Sequence, residues 1–247
     1  MRFGFLNTNI NEVHRFDKRE ALIDGFILER SINIVYGQAG LGKTWALFAI
    51  SKKLVDRGCD VVYLDSDNGS DIIKDRGYDK HIEAMGSKFI YINGDLMSCA
   101  RTGMAKVFGD IEENAINYSN AVFIYDSITF FLGGGIYDEG KLDKLMTHFK
   151  KIRRAGGTVI AINHTTKKGD VMKGGGTLIN SSDEVWEASK LGDFDDVMNF
   201  CFTPTKKRLP VVESTYEINT SNLSLVSKDK RIACKNRSHL NTNFRNT

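Results

Sequence analysis

One short segment combines glycines, a lysine and a hydroxyl residue at a spacing that can hold phosphate groups. Residues 37–44, GQAGLGKT, fit the pattern GxxxxGK[ST] without a mismatch. Glycines let backbone N–H groups turn towards phosphate oxygens, and a helix that begins there adds the positive end of its dipole. Lys43 can reach the β- and γ-phosphates, and the hydroxyl of Thr44 can bind Mg²⁺. We therefore expect a nucleoside triphosphate and Mg²⁺ at Gly37, Gln38, Ala39, Gly40, Leu41, Gly42, Lys43, Thr44 and Trp45.

Two apolar segments end in aspartates that can serve the same site. The segment VVYLDSD carries Asp65 and Asp67 at its end, and AVFIYDS carries Asp126. Ser127 follows Asp126, which disfavours the NTPase branches whose catalytic glutamate stands directly after this aspartate. Metal binding and orientation of the attacking water are the two carboxylate roles in phosphoryl transfer. We predict that Asp126 holds Mg²⁺, directly or through water, and that Asp67 orients the water, with Asp65 as the alternative.

Alternating apolar and amphipathic segments surround these residues, which is the pattern of a parallel sheet covered by helices. Strands are predicted at residues 31–37, 60–67, 88–94, 120–127 and 157–165, and helices at 43–58, 71–86, 100–119 and 138–157. Short alternating runs follow at 183–189, 195–205, 214–220 and 223–227, which are typical of antiparallel strands at a sheet edge. The predicted fold class is α/β, with a mostly parallel sheet flanked by helices and antiparallel strands added at the C-terminal end.

The composition suits one large soluble domain. The chain has 247 residues, of which 41% are hydrophobic and 26% charged, and this length suffices for one α/β core. The apolar runs are too short and interrupted to span a membrane, and the polar start is unlike a signal peptide. Four cysteines without a CxxC pair argue against a zinc site and fit a reducing cytoplasm. We expect one domain over residues 1–220, with a lead-in at 1–22, and a basic edge strand or tail at 221–247.

The placement of the motifs resembles the RecA-type P-loop ATPase core, in particular the hexameric replicative helicases and the plasmid RepA-type helicases, over roughly residues 23–218. The segment VVYLDSDNG resembles the family's second strand, and Asp67 stands where the family usually has a glutamate. GGTVIAINHT resembles the fourth motif, in which RepA-type members carry a histidine. The resemblance implies a RecA-like core, ATP with Mg²⁺, and contact between His164 and the γ-phosphate.

The segment after the fourth motif, TKKGDVMKGGG, carries lysines among glycines. In the resembling families this loop holds a single DNA strand by its phosphates, which needs charge and mobility but no reading of bases. The resemblance therefore implies that Lys167, Lys168 and Lys173 contact single-stranded DNA. An ordinary solvent-exposed loop is the alternative for each lysine.

Near the end of the chain, NFCFTPTKKRLP resembles the Lys-x-Arg hairpin of the hexameric helicases. In those rings the two cations reach into the neighbouring subunit's site, where they neutralise charge that develops on the γ-phosphate. Lys206 and Arg208 are the matching residues. A second pair, Lys235 and Arg237, competes for the same role, and an apolar run before the first pair favours Lys206 and Arg208.

Three functions are consistent with these residues. The first is an ATP-driven, ring-forming DNA helicase on single-stranded DNA in phage or plasmid replication, with a hexameric ring and a replication initiator or primase as a further partner. The second is a non-motor ATPase, like the clock and repair relatives of RecA, whose ATP state controls assembly on DNA or a protein. The third is an ATP-sensing module that hydrolyses poorly.

Overall fold

A computed structural model describes residues 18–94, 100–133, 135–166, 171–194 and 196–228. These residues form a nine-stranded sheet and a separate two-stranded hairpin. The strands are β1 Ala21–Ile23, β2 Ile27–Leu28, β3 Ile32–Gly37, β4 Asp60–Asp65, β5 Phe89–Asn93, β6 Ala121–Asp126, β7 Thr158–His164, β8 Glu184–Phe194, β9 Val197–Lys207, β10 Ser214–Asn219 and β11 Leu225–Lys228. The α-helices are α1 Lys43–Asp56, α2 Ser70–Asp75, α3 Tyr78–Met85, α4 Ala100–Glu113, α5 Ile128–Phe131, α6 Glu139–Arg154 and α7 Gly175–Ser181.

The large sheet is parallel over most of its width. Its strand order is β11-β10-β9-β8-β3-β7-β6-β4-β5, and the strands from β8 to β5 run parallel. Strands β9, β10 and β11 continue the sheet in antiparallel pairs. The α/β fold class predicted from the sequence is confirmed, including the antiparallel strands at the C-terminal end.

Apolar side chains alternate between the two faces of the sheet, as the period of a strand requires. On β3, Val35 joins a core cluster with α1 and α3, whereas Ile34 joins the opposite cluster with α6. Both faces are therefore covered by helices, which is why the central strands are continuously apolar. Because both faces of these strands are buried, the polar side chains of a functional site are expected at the strand ends.

Strand order and register bring the predicted site segments to one edge. Strand β7 lies between β3 and β6, and Gly37 at the end of β3 pairs with His164 at the end of β7. On the other side of β6, Asp65 pairs with Asp126. The carboxyl ends of these parallel strands thus lie side by side, at the edge where ligands bind in open α/β sheets.

Two details of the predicted elements were wrong. Residues 183–189 were expected to pair antiparallel, yet β8 is parallel to β3. Helix α7 lies between β7 and β8 and provides the crossover that a parallel pair needs. The single helix predicted at 71–86 is divided into α2 and α3, because Gly77 adopts a left-handed conformation with φ 68°.

Strand β11 pairs with β10 over residues 225–228 and forms the outer edge of the sheet. The pair Lys235 and Arg237, and the loop lysines Lys167 and Lys168, lie outside the described residues. Among the described residues, no helix has both the length and the apolar character needed to cross a bilayer.

Candidate nucleotide site

The phosphate-binding segment connects β3 to α1, as the motif requires. Gly42 precedes α1 with φ 94°, a conformation that favours glycine. A Cβ atom on Gly37 would come within 2.8 Å of the carbonyl oxygen of Ala188 on β8. Glycine at these two positions is therefore required by backbone conformation and by close packing. The arrangement leaves backbone N–H groups at the start of a 14-residue helix free to face an anion.

Lys43 is the first residue of α1, and its side chain folds back over the segment. Its ammonium group donates to the carbonyl oxygens of Gly37, at 3.0 Å, and Gln38, at 2.7 Å. Burial lowers the pKa of Lys43 to about 8, although the nearby carboxylates of Asp126 and Asp67 favour its charged form. A triphosphate would replace these carbonyl contacts with stronger charge-assisted ones.

Asp126 ends β6 and is almost completely buried. Its Oδ2 atom accepts hydrogen bonds from the Thr44 hydroxyl at 2.9 Å and from the Tyr63 hydroxyl at 2.8 Å. Burial, together with the charges of Asp65 and Asp67, raises the pKa of Asp126 to about 7. The structure thus joins the two residues predicted to hold the metal.

A buried carboxylate among further acids fits a divalent cation, because a nearby positive charge offsets the cost of ionising it. No group of three His, Cys, Asp or Glu side chains within the described ranges is placed to hold a metal by itself. Mg²⁺ is suited to such a site, since it retains waters and binds through few protein groups plus phosphate oxygens. Thr44 and Asp126 are the residues that would hold it.

Asp67 and His164 meet across the cavity. His164 Nε2 lies 3.2 Å from Asp67 Oδ2, and His164 Nδ1 lies 3.5 Å from the Lys43 ammonium. Burial alone would raise the pKa of Asp67, but the hydrogen bond to His164 and the charge of Lys43 outweigh burial and lower it. The carboxylate is therefore ionised near neutral pH and able to accept a hydrogen bond from water.

Asp65 serves a different purpose. It is fully buried, and its oxygens accept from the backbone N–H groups of Asp67 and Asn68, the Asn68 amide and the Tyr91 hydroxyl, at 2.7–3.1 Å. These bonds hold the turn after β4 and so fix the position of Asp67. The geometry favours Asp67 over Asp65 for contact with a water.

A cavity of about 400 Å³ unites these groups. Residues 40–45 form one wall, and Asp67, Asp126 and His164 form another. Five further residues that line the cavity or support it were not predicted from the sequence: Tyr63, Asn68, Arg76, Ile162 and Met198. Strand alternation places Tyr63 on the same side as Asp65 and could have revealed it, whereas the position of Arg76 depends on the break between α2 and α3.

The loop predicted to hold DNA is tied directly to the nucleotide site. The Asn163 amide donates to the carbonyl oxygen of Lys173 at 2.8 Å, and the backbone N–H of Lys173 donates to the carbonyl oxygen of His164 at 3.0 Å. The backbone of the half-buried Lys173 is therefore bonded to Asn163 and His164, and His164 faces Lys43 and Asp67.

Lys206 and Arg208 lie away from their own nucleotide site. The backbone N–H of Arg208 donates to Asp183, whose own N–H donates to Ile32 at the start of β3. The five-residue distance from Ile32 to Gly37 corresponds to about 17 Å along a strand. Both cations instead cap the C-terminal end of α7: Lys206 contacts the carbonyl oxygens of Ile179, Asn180 and Ser182, and Arg208 contacts that of Asn180.

Comparison with known proteins agrees with this geometry. A family profile described as an AAA domain matches residues 3–170. The chain belongs to this family of AAA domains. The matched region contains Lys43, Asp67, Asp126 and His164 but ends before β8. Among curated proteins, none matches the chain.

Solved structures extend the similarity to the sheet as a whole. The crystal structure of flagellar accessory protein FlaH from Methanocaldococcus jannaschii is similar with a TM-score of 0.57 and 14% identity, over 81% of this chain and 90% of that chain. At this identity the likeness shows the fold. Fold and family membership together identify a RecA-like P-loop ATPase, which implies use of a nucleotide.

Proposed function

We propose that the protein is an ATP-hydrolysing, ring-forming translocase that acts as a helicase on single-stranded DNA in phage or plasmid replication. The observation that carries the proposal is the pair of hydrogen bonds that link the backbone of Lys173 to the end of β7: its carbonyl oxygen accepts from the Asn163 amide, and its N–H donates to the carbonyl oxygen of His164. These bonds join a basic loop to the end of β7, beside Lys43 and Asp67, so that a change at the γ-phosphate can move the loop.

In the proposed reaction, water attacks the γ-phosphate in line with ADP, which leaves as the bond between its β-phosphate oxygen and the γ-phosphorus breaks. One proton of the water stays on the phosphate product, and the other is released to solvent. The Lys43 ammonium leaves the carbonyl groups of Gly37 and Gln38 and holds the β- and γ-phosphates. Thr44 and Asp126 would hold Mg²⁺, which would supply neutralisation of negative charge. His164 turns from Asp67 to the γ-phosphate, and the freed Asp67 carboxylate accepts a hydrogen bond from the water.

The ring explains the position of Lys206 and Arg208. They lie level with the amino end of β3, whereas the nucleotide cavity follows its carboxyl end. Cations at one edge and a nucleotide at another suit a head-to-tail assembly, in which each subunit completes its neighbour's site. We propose a homohexamer in the cytoplasm, with a replication initiator or primase as its loading partner.

Stimulation of ATP hydrolysis by single-stranded DNA, followed by strand displacement on a forked duplex, tests the proposal. We expect both activities, and light scattering should show assembly in the presence of a non-hydrolysable ATP analogue and an oligonucleotide. Lys43→Ala serves as the inactive control. A chain that hydrolyses ATP at the same rate with and without DNA, and remains a monomer in every condition, would overturn the proposal.

A non-motor ATPase is the second candidate. The observation in its favour is that Lys206 and Arg208 both engage α7 of their own subunit, an arrangement that a structural role explains without a neighbour. In that case ATP would control assembly on DNA or a protein. DNA-stimulated hydrolysis without strand displacement would favour this candidate, and assembly without hydrolysis would favour a nucleotide sensor.

A further inference from the structure

A second cavity, of about 420 Å³, lies on the side of the sheet covered by α4 and α6. Its walls come from α4, α5 and α6, and its lining is mainly apolar. Phe108, Phe130 and Phe131 supply aromatic surface, and the two phenylalanines of α5 meet edge to face at 5.9 Å. None of these residues lines the nucleotide cavity, so the second cavity is distinct from the nucleotide site.

Cations stand at the rim of this cavity. Lys141 and Lys144 lie three residues apart on α6, both are exposed, and both line the opening. Residues at this spacing lie on one face of a helix. Glu112 also lines the cavity, but its carboxylate is paired with Lys151 and His148. The rim therefore presents two ammonium groups whose charge is not cancelled by the one acid of the lining.

Aromatic side chains beside two ammonium groups are a combination that binds single-stranded nucleic acid. Nucleobases stack on aromatic side chains whatever their sequence, while lysines follow the phosphates on either side. His148 is buried and both of its ring nitrogens are occupied, Nδ1 by Glu112 at 2.9 Å and Nε2 by the Tyr125 hydroxyl at 2.7 Å. The lining therefore offers stacking on phenylalanine rings and charge for phosphates, and no reading of base edges.

We propose that this cavity receives one unstacked base of a single DNA strand, with the adjacent phosphates on Lys141 and Lys144. The proposal rests on the proposed action on single-stranded DNA and names a contact that the basic loop does not provide. Stacking of a DNA base would add affinity to the contacts that lysines make with the DNA phosphates.

The cavity also has a direct connection to the ATPase site. Helix α5, which supplies Phe130 and Phe131, begins two residues after Asp126. Tyr125, the neighbour of Asp126 on β6, packs edge to face on Phe131 and Phe108 and bonds to His148. A base that enters the cavity therefore contacts side chains packed on the strand that carries Asp126.

Binding of two labelled oligonucleotides of equal length and charge tests the proposal. One is an ordinary thymidine strand, and the other has the same backbone without bases. Fluorescence anisotropy at fixed salt should show that the strand without bases binds more weakly, by roughly fivefold to a hundredfold, the range expected from loss of stacking. Backbone-only binding would give equal affinities.

Variants locate the effect in this cavity. Phe130→Leu keeps apolar volume but removes an aromatic ring. The ratio of the affinity for the strand with bases to the affinity for the strand without bases should therefore fall towards one. Lys144→Ala should weaken both strands and reduce the slope of log affinity against log salt by about one. Lys80→Ala, at an exposed lysine of α3, is the matched control and should change neither quantity. Thermal unfolding confirms that each variant remains folded.

The outcomes separate this proposal from the proposed function. If both strands bind equally well to the wild type, or if Phe130→Leu retains the full preference, the base site is overturned and DNA translocation stands. If neither strand binds in the presence of a non-hydrolysable ATP analogue, action on DNA fails and the base site fails with it.

Discussion

Asp126 is a buried carboxylate whose protonation links the nucleotide site to folding. Burial and the charges of Asp65 and Asp67 raise its pKa to about 7, whereas an aspartate in an unfolded chain has a pKa of about 4. Between these values the native chain holds more protons than the unfolded chain. The contribution of Asp126 to the free energy of unfolding therefore falls as pH rises through this window.

Asp126→Asn should stabilise the protein in the absence of nucleotide and Mg²⁺. The amide removes the buried charge and keeps an oxygen for the hydroxyl groups of Thr44 and Tyr63. At about pH 8 we expect a gain of roughly 2–4 kcal/mol in the free energy of unfolding, and this gain should disappear at about pH 4. Urea unfolding at both pH values measures it. Asp143→Asn, at an exposed residue of α6, is the control, with a change below about 0.5 kcal/mol.

Asp67 provides the second test at the scale of a residue. Asp67→Asn keeps the shape of the side chain but removes the carboxylate that would orient water. We expect the turnover number for ATP to fall by roughly 10²- to 10⁴-fold, while the affinity for a fluorescent ATP analogue changes little. Asp67→Glu, which restores a carboxylate, should retain most of the activity. If Asp67→Asn hydrolysed ATP at the wild-type rate, a group other than Asp67 would have to orient the attacking water.

The site residues could largely be predicted from the sequence because they stand at the ends of apolar runs. Carboxyl ends of parallel strands share an edge, so Asp67, Asp126 and His164 had to lie near Lys43. The role of Asp65 could not be predicted in this way. It depends on side-chain bonds to the turn after β4 and to Tyr91 of β5, which the alternation of apolar residues does not specify.

At the scale of an element, Lys206 acts as a cap of α7. Its ammonium group contacts three carbonyl oxygens at the end of this helix, where the helix dipole favours a cation. Lys206→Ala should lower the free energy of unfolding by roughly 1 kcal/mol. Lys207→Ala, at the exposed adjacent residue, is the matched control. Equal urea midpoints for the two variants would show that the cap contributes nothing.

Strand positions followed from the sequence, but the orientation of one strand did not. Residues 183–189 alternate like a half-buried strand, and alternation is the same for parallel and antiparallel pairs. The orientation of β8 depends on α7, a seven-residue helix rich in glycine and polar residues that has little apolar periodicity of its own. The break between α2 and α3 at Gly77 could not be predicted either, because a single glycine within a helix lowers its stability only modestly and does not by itself indicate an end.

For the whole molecule, the main consequence of the fold is the separation of two charged groups. Lys43, Asp67 and Asp126 lie at the carboxyl edge of the parallel strands, and Lys206 and Arg208 lie level with the opposite edge. A subunit of this shape cannot bring its own Arg208 to its own γ-phosphate. In the proposed head-to-tail ring a neighbour would supply it, and this proposal predicts how mixtures of two defective subunits behave.

Subunits with Arg208→Ala should be mixed with subunits that carry Lys43→Ala. Each variant alone should hydrolyse ATP at no more than a few per cent of the wild-type rate. Lys43 holds the phosphates, and the guanidinium of Arg208 from the adjacent subunit would neutralise charge in the transition state. In mixed rings an intact Lys43 site can receive Arg208 from a Lys43→Ala neighbour, so the ATPase rate should recover and pass through a maximum at intermediate ratios. Mixtures of Lys207→Ala with Lys43→Ala should instead lose activity steadily as the inactive subunit is added. A flat, inactive profile for the first mixture, from proteins that light scattering shows to be co-assembled, would exclude Arg208 from the neighbouring site.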